Sequence, residues 1–295
     1  MFKEIIKSMR IKQWIKNVFI LAALVFDRQL TNLNSTLKTL LGLFLFCLLS
    51  SSIYLINDIL DAKADRNHPI KKSRPIASGQ LPTPIALITA LTFAILSLSI
   101  AYWLSPVFAI ICGIYFLQNL AYSKWLKNIP IIDVLIIALG FVLRVAAGVS
   151  IIQVERFSPW LYVVTTLLAL YLGFGKRRAE LTLLAHEANQ HRPVLDSYTI
   201  PFLDQLITIV SSTTIITYSL YTFSAPNLPK NHTMMLTIPF VLYGIFRYLY
   251  LISVKESGGA PEELVLTDRP LQLSILLWGI SVITIFYSHN IFNTL

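Results

Sequence analysis

Apolar runs close to the thickness of a bilayer recur along the chain, separated by short polar segments. They fall at 15–30, 37–56, 84–103, 106–122, 132–152, 159–175, 203–223, 234–254 and 271–290. A hydrocarbon core takes roughly 20 helical residues to cross, so the pattern predicts an all-α chain with nine transmembrane helices. The first run is the least apolar at its start, where Lys16 and Asn17 stand. No long polar tract is left for a soluble domain, so residues 1–295 are expected to form a single integral-membrane domain. Residues 1–12 read differently. They are too charged to cross, and Phe2, Ile5, Ile6 and Met9 share one helical face, which predicts an amphipathic helix lying in the interface. No small-residue cleavage site follows a short apolar core, so no cleavable signal sequence is expected.

Composition sharpens this picture. Hydrophobic residues make up 55% of the 295 and charged residues 13%, against roughly 25% charged in soluble domains. Mean hydropathy is +0.67. These values exclude a soluble globular enzyme and a disordered or fibrous chain. The net charge of +9 does not imply nucleic acid, because the basic residues sit between the apolar runs, where the membrane accounts for them. Of the 24 lysines and arginines, 18 fall on one side of the nine-span topology and four on the other. That places the amino terminus in the cytoplasm and the carboxyl terminus outside an inner or plasma membrane. Thirteen of the 15 acids share the basic side. Positive-inside insertion does not account for carboxylates, whereas binding a metal with a phosphorylated substrate does. Cys47 and Cys112 lie inside apolar runs and read as small buried hydrophobes.

The acids concentrate after the second span. Asn57, Asp61 and Asp65 are spaced i, i+4, i+8 and share a helical face, and Asp58 joins it three residues before Asp61. Carboxylates gathered this closely repel unless a cation lies between them, and hard oxygen ligands suit Mg²⁺. A solvated helix end is the plainer reading of the same residues. The following stretch contains Arg66, Lys71, Lys72 and Arg74, with Pro69, Pro75 and Gly79 marking a loop. Cations directly after carboxylates suit a diphosphate held partly by metal and partly by Lys and Arg, although positive-inside loops account for part of the signal. His68 reads as a loop hydrogen-bonding residue.

Other candidates are more scattered. Arg144 lies inside the fifth span, where an arginine is expensive. It can anchor a phosphate or clamp internal groups. Arg247 in the eighth span can do either or snorkel to the surface. After the sixth span, Lys176, Arg177 and Arg178 are consecutive, with Glu180 beside them. This run reads as a solvated face or as a phosphate site. The segment from Pro261 to Pro270 is placed to close over such a site.

Asn57-Asp58-x-x-Asp61-x-x-x-Asp65, His68-Pro69 and Arg74-Pro75-Ile76-Ala77-Ser78-Gly79 resemble the first aspartate-rich motif of the UbiA superfamily of intramembrane prenyltransferases. The resemblance implies a nine-helix bundle with a cytoplasm-facing cavity. In most members the region after the fourth span supplies a second aspartate-rich motif. Here it is reduced to Tyr122, Lys127 and Asp133, with Ile137 where a further carboxylate would stand. The set from Lys12 to Asn17, Tyr122 with Lys127, Gly175 to Glu180, and Glu263 with Asp268-Arg269 resembles the decaprenyl-phosphate phosphoribosyltransferase subgroup.

That resemblance implies a donor, 5-phosphoribosyl 1-diphosphate, and an acceptor, a polyprenyl monophosphate, with diphosphate released. It assigns Mg²⁺ to Asn57, Asp58, Asp61 and Asp65, and chemistry to Asp58, Asp61, Lys127 and Asp133. Substrate contacts are expected from Lys16, Asn17, Arg66, Lys71, Arg74, Tyr122, Lys127, Arg144, Lys176, Arg177, Arg178 and Glu180. The donor 5-phosphate is expected on Lys176–Arg178 and the acceptor phosphate near Lys16, Lys127 and Arg144. The C1–O bond breaks through an oxocarbenium-like state while an already ionised acceptor oxygen attacks the opposite face, so no general base is needed. Two other readings compete: an isoprenyl transfer onto an aromatic acceptor, and a transporter. Against transport, the charges gather at one mouth and form no relay through the spans. Association between copies of the chain is left open.

Overall fold

The computed structural model describes residues 1–67, 71–152, 154, 158–184, 193–225, 228–255 and 261–292. His68, Pro69, Glu155, Arg156 and Arg192 lie outside the described residues. Among the described residues every regular element is helical: α1 (Phe2–Ser8), α2 (Ala22–Phe26), α3 (Leu33–Leu60), α4 (Ala62–Arg66), α5 (Thr83–Leu104), α6 (Pro106–Lys124), α7 (Ile132–Ile151), α8 (Pro159–Leu184), α9 (Ile200–Ser224), α10 (Ile238–Ser253), α11 (Pro261–Thr267) and α12 (Arg269–Phe292), with short 3-10 segments between.

Helix starts follow the chain's own signals. The Ser105 hydroxyl accepts from Phe108 N–H ahead of α6, with Pro106 in the first turn. Thr199 does the same for α9, with Pro201 behind it. These side chains satisfy amides that a helix start leaves open.

Seven of the helices are long and apolar enough to cross a membrane. They coincide with seven of the nine runs. Their outward positions carry bare apolar side chains such as Ile88, Ile95, Ile110 and Leu117, which only a lipid environment accommodates in such numbers. The protein is therefore a multi-pass membrane protein.

The other two runs depart from the simple expectation. Residues 159–175 lie in α8, which is 26 residues long but diluted by tyrosine, threonine and glycine. Residues 15–30 form no single helix. Ile11–Leu21 is 3-10 and only Ala22–Phe26 is α-helical. A 3-10 helix rises about 2.0 Å per residue against about 1.5 Å for an α-helix. The two pieces together extend about 30 Å, close to the hydrocarbon thickness. The interfacial helix expected over 1–12 stops at Ser8, because Arg10 takes a left-handed backbone (φ 53°).

The chain divides into two compact units. The first comprises Met1–Leu24, Leu30–Lys127 and Leu143–Gln153. Its axis is α3, packed against α5, which turns a stripe of buried small residues toward its neighbours: Ala86, Ala90, Ala94, Ser97 and Ala101. Small side chains let helices approach where lipid supplies no hydrophobic drive. The 3-10 segment is stitched to α3 by polar contacts. Trp14 Nε1 donates to Ser51 Oγ (3.0 Å), and Asn17 Nδ2 donates to Ser50 Oγ (3.2 Å). Cys47 and Cys112 are free and buried.

The second unit comprises Val25–Gln29, Asn128–Val142 and Val154–Leu295. Here α8 packs on α9 and α10 on α12 around Tyr171, Phe174, Leu203, Ile207, Tyr248 and Ile252. Arg247 does not snorkel alone. It grips Asp268 with two bonds (3.1 and 2.8 Å), and Asp268 also accepts from Leu271 N–H (2.9 Å) at the start of α12. The Arg247 guanidinium holds the Asp268 carboxyl below the usual range. The contact therefore persists through neutral pH and is lost only as pH falls through that depressed value.

Gly148 in α7 is the tightest point of the first unit: a Cβ there would stand 2.0 Å from the Ile20 carbonyl oxygen. Gly148→Ala is expected to lower stability by about 3 kcal/mol, the upper end for overpacking. Gly113→Ala, with open space around it, should leave stability unchanged or slightly raised. Thermal unfolding of both variants in detergent checks this, and equal melting temperatures would contradict it.

Candidate active site

The first unit gathers most of the candidate residues at the end of α3. The helix stops at Leu60 and resumes at Ala62, yet the backbone stacking continues: Asp61 N–H donates to the Asn57 carbonyl (2.9 Å), and Asp65 N–H to the Asp61 carbonyl (2.8 Å). Asp58 and Asp65 are buried. Arg74 serves both, donating from one nitrogen to Asp65 Oδ2 (2.6 Å) and Asp58 Oδ1 (3.1 Å). Arg10 is a second donor to Asp58 Oδ1.

Arg74 is held in place by its own loop. Ser78 N–H and Leu81 N–H donate to the carbonyls of Arg74 and Pro75 (2.9 Å each), and Ile76 and Leu81 are buried against Leu55 and Ala86. The Pro75-to-Gly79 stretch thus anchors a guanidinium over two carboxylates.

Asp61 behaves differently. Its side chain is 45% exposed, and Lys127 Nζ approaches it only to 3.6 Å. Asn57 Oδ1, one helical turn back, is buried with no hydrogen-bond partner among the described residues. Arg66 Nε donates to the Ala77 carbonyl (3.3 Å). Lys71 and Tyr122 belong to the same unit and have interactions of their own.

In this geometry the four expected donors fall into two groups. Arginines occupy Asp58 and Asp65, and among the described residues no three carboxylate, thiol or imidazole groups come together as metal ligands. The physical reason is burial: an unpaired carboxylate inside costs several kcal/mol, so the two enclosed acids take the arginines and the open one keeps only the looser contact with Lys127. What remains, Asn57 Oδ1 and the Asp61 carboxylate, is oxygen-only. Such a pair fits Mg²⁺, which is commonly held by one or two carboxylates and completed by water and substrate phosphate.

Deeper in the same unit, Arg144 is 5% exposed. Its Nε donates to Asn17 Oδ1 and a terminal nitrogen to Tyr115 Oη, both at 2.8 Å. Its guanidinium also lies over the Tyr115 and Phe46 rings, 4.9 and 5.7 Å from their centres. Arg144 and Asn17 therefore act as an internal clamp between the 3-10 segment and α7. Lys16, beside Asn17, is half-buried and engaged.

The second unit holds Asp133, Lys176, Arg177, Arg178 and Glu180. Asp133 is fully buried at the start of α7. It accepts from Arg177 Nε (2.6 Å) and from the Tyr198 hydroxyl (2.7 Å). Arg177, 1% exposed, also donates to Glu180 Oε2 (2.6 Å). Arg178 binds Asp204 (2.5 Å) and the Ile252 carbonyl (2.9 Å). Tyr198 oxygen accepts from Ile131 N–H (2.6 Å), pinning a residue in the left-handed region (φ 68°). Burial raises the Tyr198 hydroxyl well above its ordinary value, so it remains a donor through neutral pH.

Two expectations change accordingly. Asp133, expected to take part in the chemistry, is enclosed by Arg177 and Tyr198. Arg177 and Arg178 are spent on internal carboxylates and are not an open phosphate cluster. Among the described residues Lys176 is the member of that run without an ion pair. Sequence reasoning missed Arg10, Tyr198 and Asp204. Arg10 had only its proximity to the Lys12–Asn17 motif as a signal, and the other two had none.

Residues 18–262 match the model of the UbiA prenyltransferase family. The chain is 32% identical over 292 residues to the decaprenyl-phosphate phosphoribosyltransferase of Corynebacterium glutamicum, covering 96% of this chain and 86% of that protein. It is 35% identical to the protein of the same name from Mycolicibacterium smegmatis, covering 93% and 89%. Among solved structures, the fold resembles a UbiA homolog from Archaeoglobus fulgidus bound to GPP and Mg²⁺, with a TM-score of 0.74 at 20% identity, over 96% of this chain and 99% of that one.

The Asp133–Arg177 pair gives a direct test of which cations are internal. Arg177→Ala leaves a buried carboxylate uncompensated and is expected to cost about 3–5 kcal/mol. Asp133→Asn combined with Arg177→Met should recover part of the loss. Thermal unfolding of the three proteins reads this out. An Arg177→Ala protein of undiminished stability that changes only the donor KM would show that Arg177 faces substrate.

Proposed function

The chain belongs to the UbiA prenyltransferase family, and we propose that it is a polyprenyl-phosphate phosphoribosyltransferase. It transfers 5-phosphoribosyl from 5-phosphoribosyl 1-diphosphate to a polyprenyl monophosphate and releases diphosphate. The observation that carries this reading is the identity of 31–35% to relatives named decaprenyl-phosphate phosphoribosyltransferase, each over at least 93% of the chain.

The site chemistry supports it. Asn57 and Asp61 would hold Mg²⁺, which when bound neutralises charge on the departing diphosphate. Lys127 stands beside Asp61 to take a phosphate oxygen not facing the ion, and Arg66 and Lys71 extend the same cationic border. Arg74 pairs with the buried Asp58 and Asp65, so the wall beneath the donor stays fixed. No residue is required as a base, because the acceptor phosphate is ionised at neutral pH. Positioning and charge stabilisation therefore supply most of the acceleration. Arg144 and Asn17 brace the segment that carries Lys16, the nearest cation on that segment for the acceptor phosphate. The polyprenyl tail stays in lipid, which avoids the cost of exposing it to water.

The topology we infer has nine crossings, counting α8 and the 3-10-to-α2 segment with the seven apolar helices. The lysine and arginine distribution then puts the amino terminus and the metal-binding end of α3 in the cytoplasm.

Purified protein incubated with Mg²⁺, a polyprenyl phosphate and either 5-phosphoribosyl 1-diphosphate or geranyl diphosphate tests the reading by mass spectrometry of the lipid. A lipid gaining one phosphoribosyl unit with the first donor alone is the expected result. Prenylation with the second donor and no product with the first would overturn it. Asp61→Asn, at a half-exposed position, should leave the protein folded and lower turnover by about 100-fold or more. Full activity in that variant would remove the metal assignment.

A further inference from the structure

We propose that Arg10 is the resident counter-cation of Asp58 when no divalent ion is bound, and that it passes to the donor's diphosphate oxygens when the ion and donor arrive. The inference rests on the metal reading above and adds a residue to it. Arg10 lies ahead of the stretch that matches the family, which begins at residue 18.

Three features of the structure carry it. First, the Arg10 backbone is left-handed (φ 53°, ψ 53°), a conformation that L residues adopt only at a cost. That turn separates α1 from the 3-10 segment. The guanidinium crosses to α3, where it meets Asp58 Oδ1 and lies 5.1 Å from the centre of the Tyr54 ring. The chain is tied down on both sides: ahead of Arg10, Lys7 Nζ donates to the Ser73 carbonyl (3.3 Å) and Ser51 Oγ to the Met9 carbonyl (3.1 Å), and after it Trp14 Nε1 donates to Ser51 Oγ (3.0 Å). Arg10 is thus presented by a fixed segment.

Second, the two partners differ in access. The Arg10 side chain is 31% exposed and that of Asp58 is 3%. An anion arriving from outside meets the guanidinium on its open side, while the carboxylate is sheltered behind it.

Third, Arg10 can leave without orphaning a buried charge. Arg74 already bonds both Asp58 and Asp65, so Asp58 keeps one charged donor when Arg10 turns away. In the metal-free protein Arg10 and Arg74 together balance Asp58 and Asp65, and a divalent ion bound at the end of α3 makes the Arg10 charge surplus. The surplus guanidinium has the planar donor fork that suits phosphate oxygens. In the metal-free protein the Arg10 charge therefore opposes a divalent ion arriving at the Asn57–Asp61 end of α3, and in the donor-bound protein it adds to donor affinity.

This predicts effects of opposite sign from one substitution. Mn²⁺ binding is measured by the loss of the free-ion electron paramagnetic resonance signal, without donor, and donor binding is then measured by calorimetry at saturating Mn²⁺. Arg10→Ala should bind Mn²⁺ about fivefold more tightly and the donor about tenfold more weakly, as expected for losing one charge-assisted contact. Arg10→Lys should fall between wild type and alanine in both. Lys12→Ala removes an exposed charge from the same segment and should change neither, which separates the exchange from a general loss of positive potential. An Arg10→Ala protein that weakens both ligands, strengthens both or alters neither overturns the inference, as does an Arg10→Lys protein equal to wild type in both. Should wild type bind no Mn²⁺, the metal reading itself fails and this inference with it. Should wild type bind Mn²⁺ and Arg10→Ala bind it equally well, only the inference fails.

Discussion

A carboxylate at the edge of the hydrocarbon must have a cation, and the organisation of the first unit follows from that requirement. Asp58 and Asp65 are enclosed where the largely apolar α3 gives way to α4. Burying each charge alone would cost several kcal/mol, so the chain brings two arginines to them from opposite directions in sequence. Arg10 comes from the amino-terminal segment, and Arg74 from the loop that follows α4. The route of the amino terminus across α3 and the tight packing of Ile76 and Leu81 under their loop both serve to deliver those guanidinium groups. The acid left outside this pairing, Asp61, is the one with access to a substrate. In the function we propose, the enclosed acids hold the wall and the open acid holds the ion.

The same rule sorts the cations of the second unit. Arg177 looks from its spacing like part of a phosphate cluster, but a guanidinium 1% exposed between Asp133 and Glu180 has its charge met. Its role is to fix the start of α7 and, through Tyr198, the left-handed turn at Ile131. Lys176, with no such pairing among the described residues, keeps its charge available. Three adjacent residues of the same sign thus divide into two that are paired internally and one without an ion pair among the described residues, according to which carboxylates their helix meets.

Much of this was legible in the sequence. The apolar runs gave seven crossing helices because length and hydropathy alone decide whether a helix can lie in lipid. The acids at 57, 58, 61 and 65 and the cations after them stood out because lipid-facing segments tolerate so few charges. The motifs around them also carried the family. What stayed hidden depended on contacts between distant segments. Periodicity placed Asn57, Asp58, Asp61 and Asp65 on one face but could not show that Arg10, 48 residues away from Asp58, takes one of them. Nor could it reveal Tyr198 and Asp204, whose partners lie 65 and 26 residues distant. The 3-10 course of Ile11–Leu21 was illegible for another reason: a 3-10 and an α-helix share the same apolar content, and only backbone geometry separates them.

The central claim is that the open end of α3, at Asn57 and Asp61, takes the divalent ion that receives the leaving diphosphate. It is tested most directly by the anomalous scattering of Mn²⁺ in crystals of the protein grown with a non-hydrolysable donor analogue. An anomalous peak in contact with the Asp61 carboxylate and the diphosphate oxygens is the result this account predicts. A diphosphate bound with no metal at Asp61, and with lysines and arginines alone around it, would contradict it.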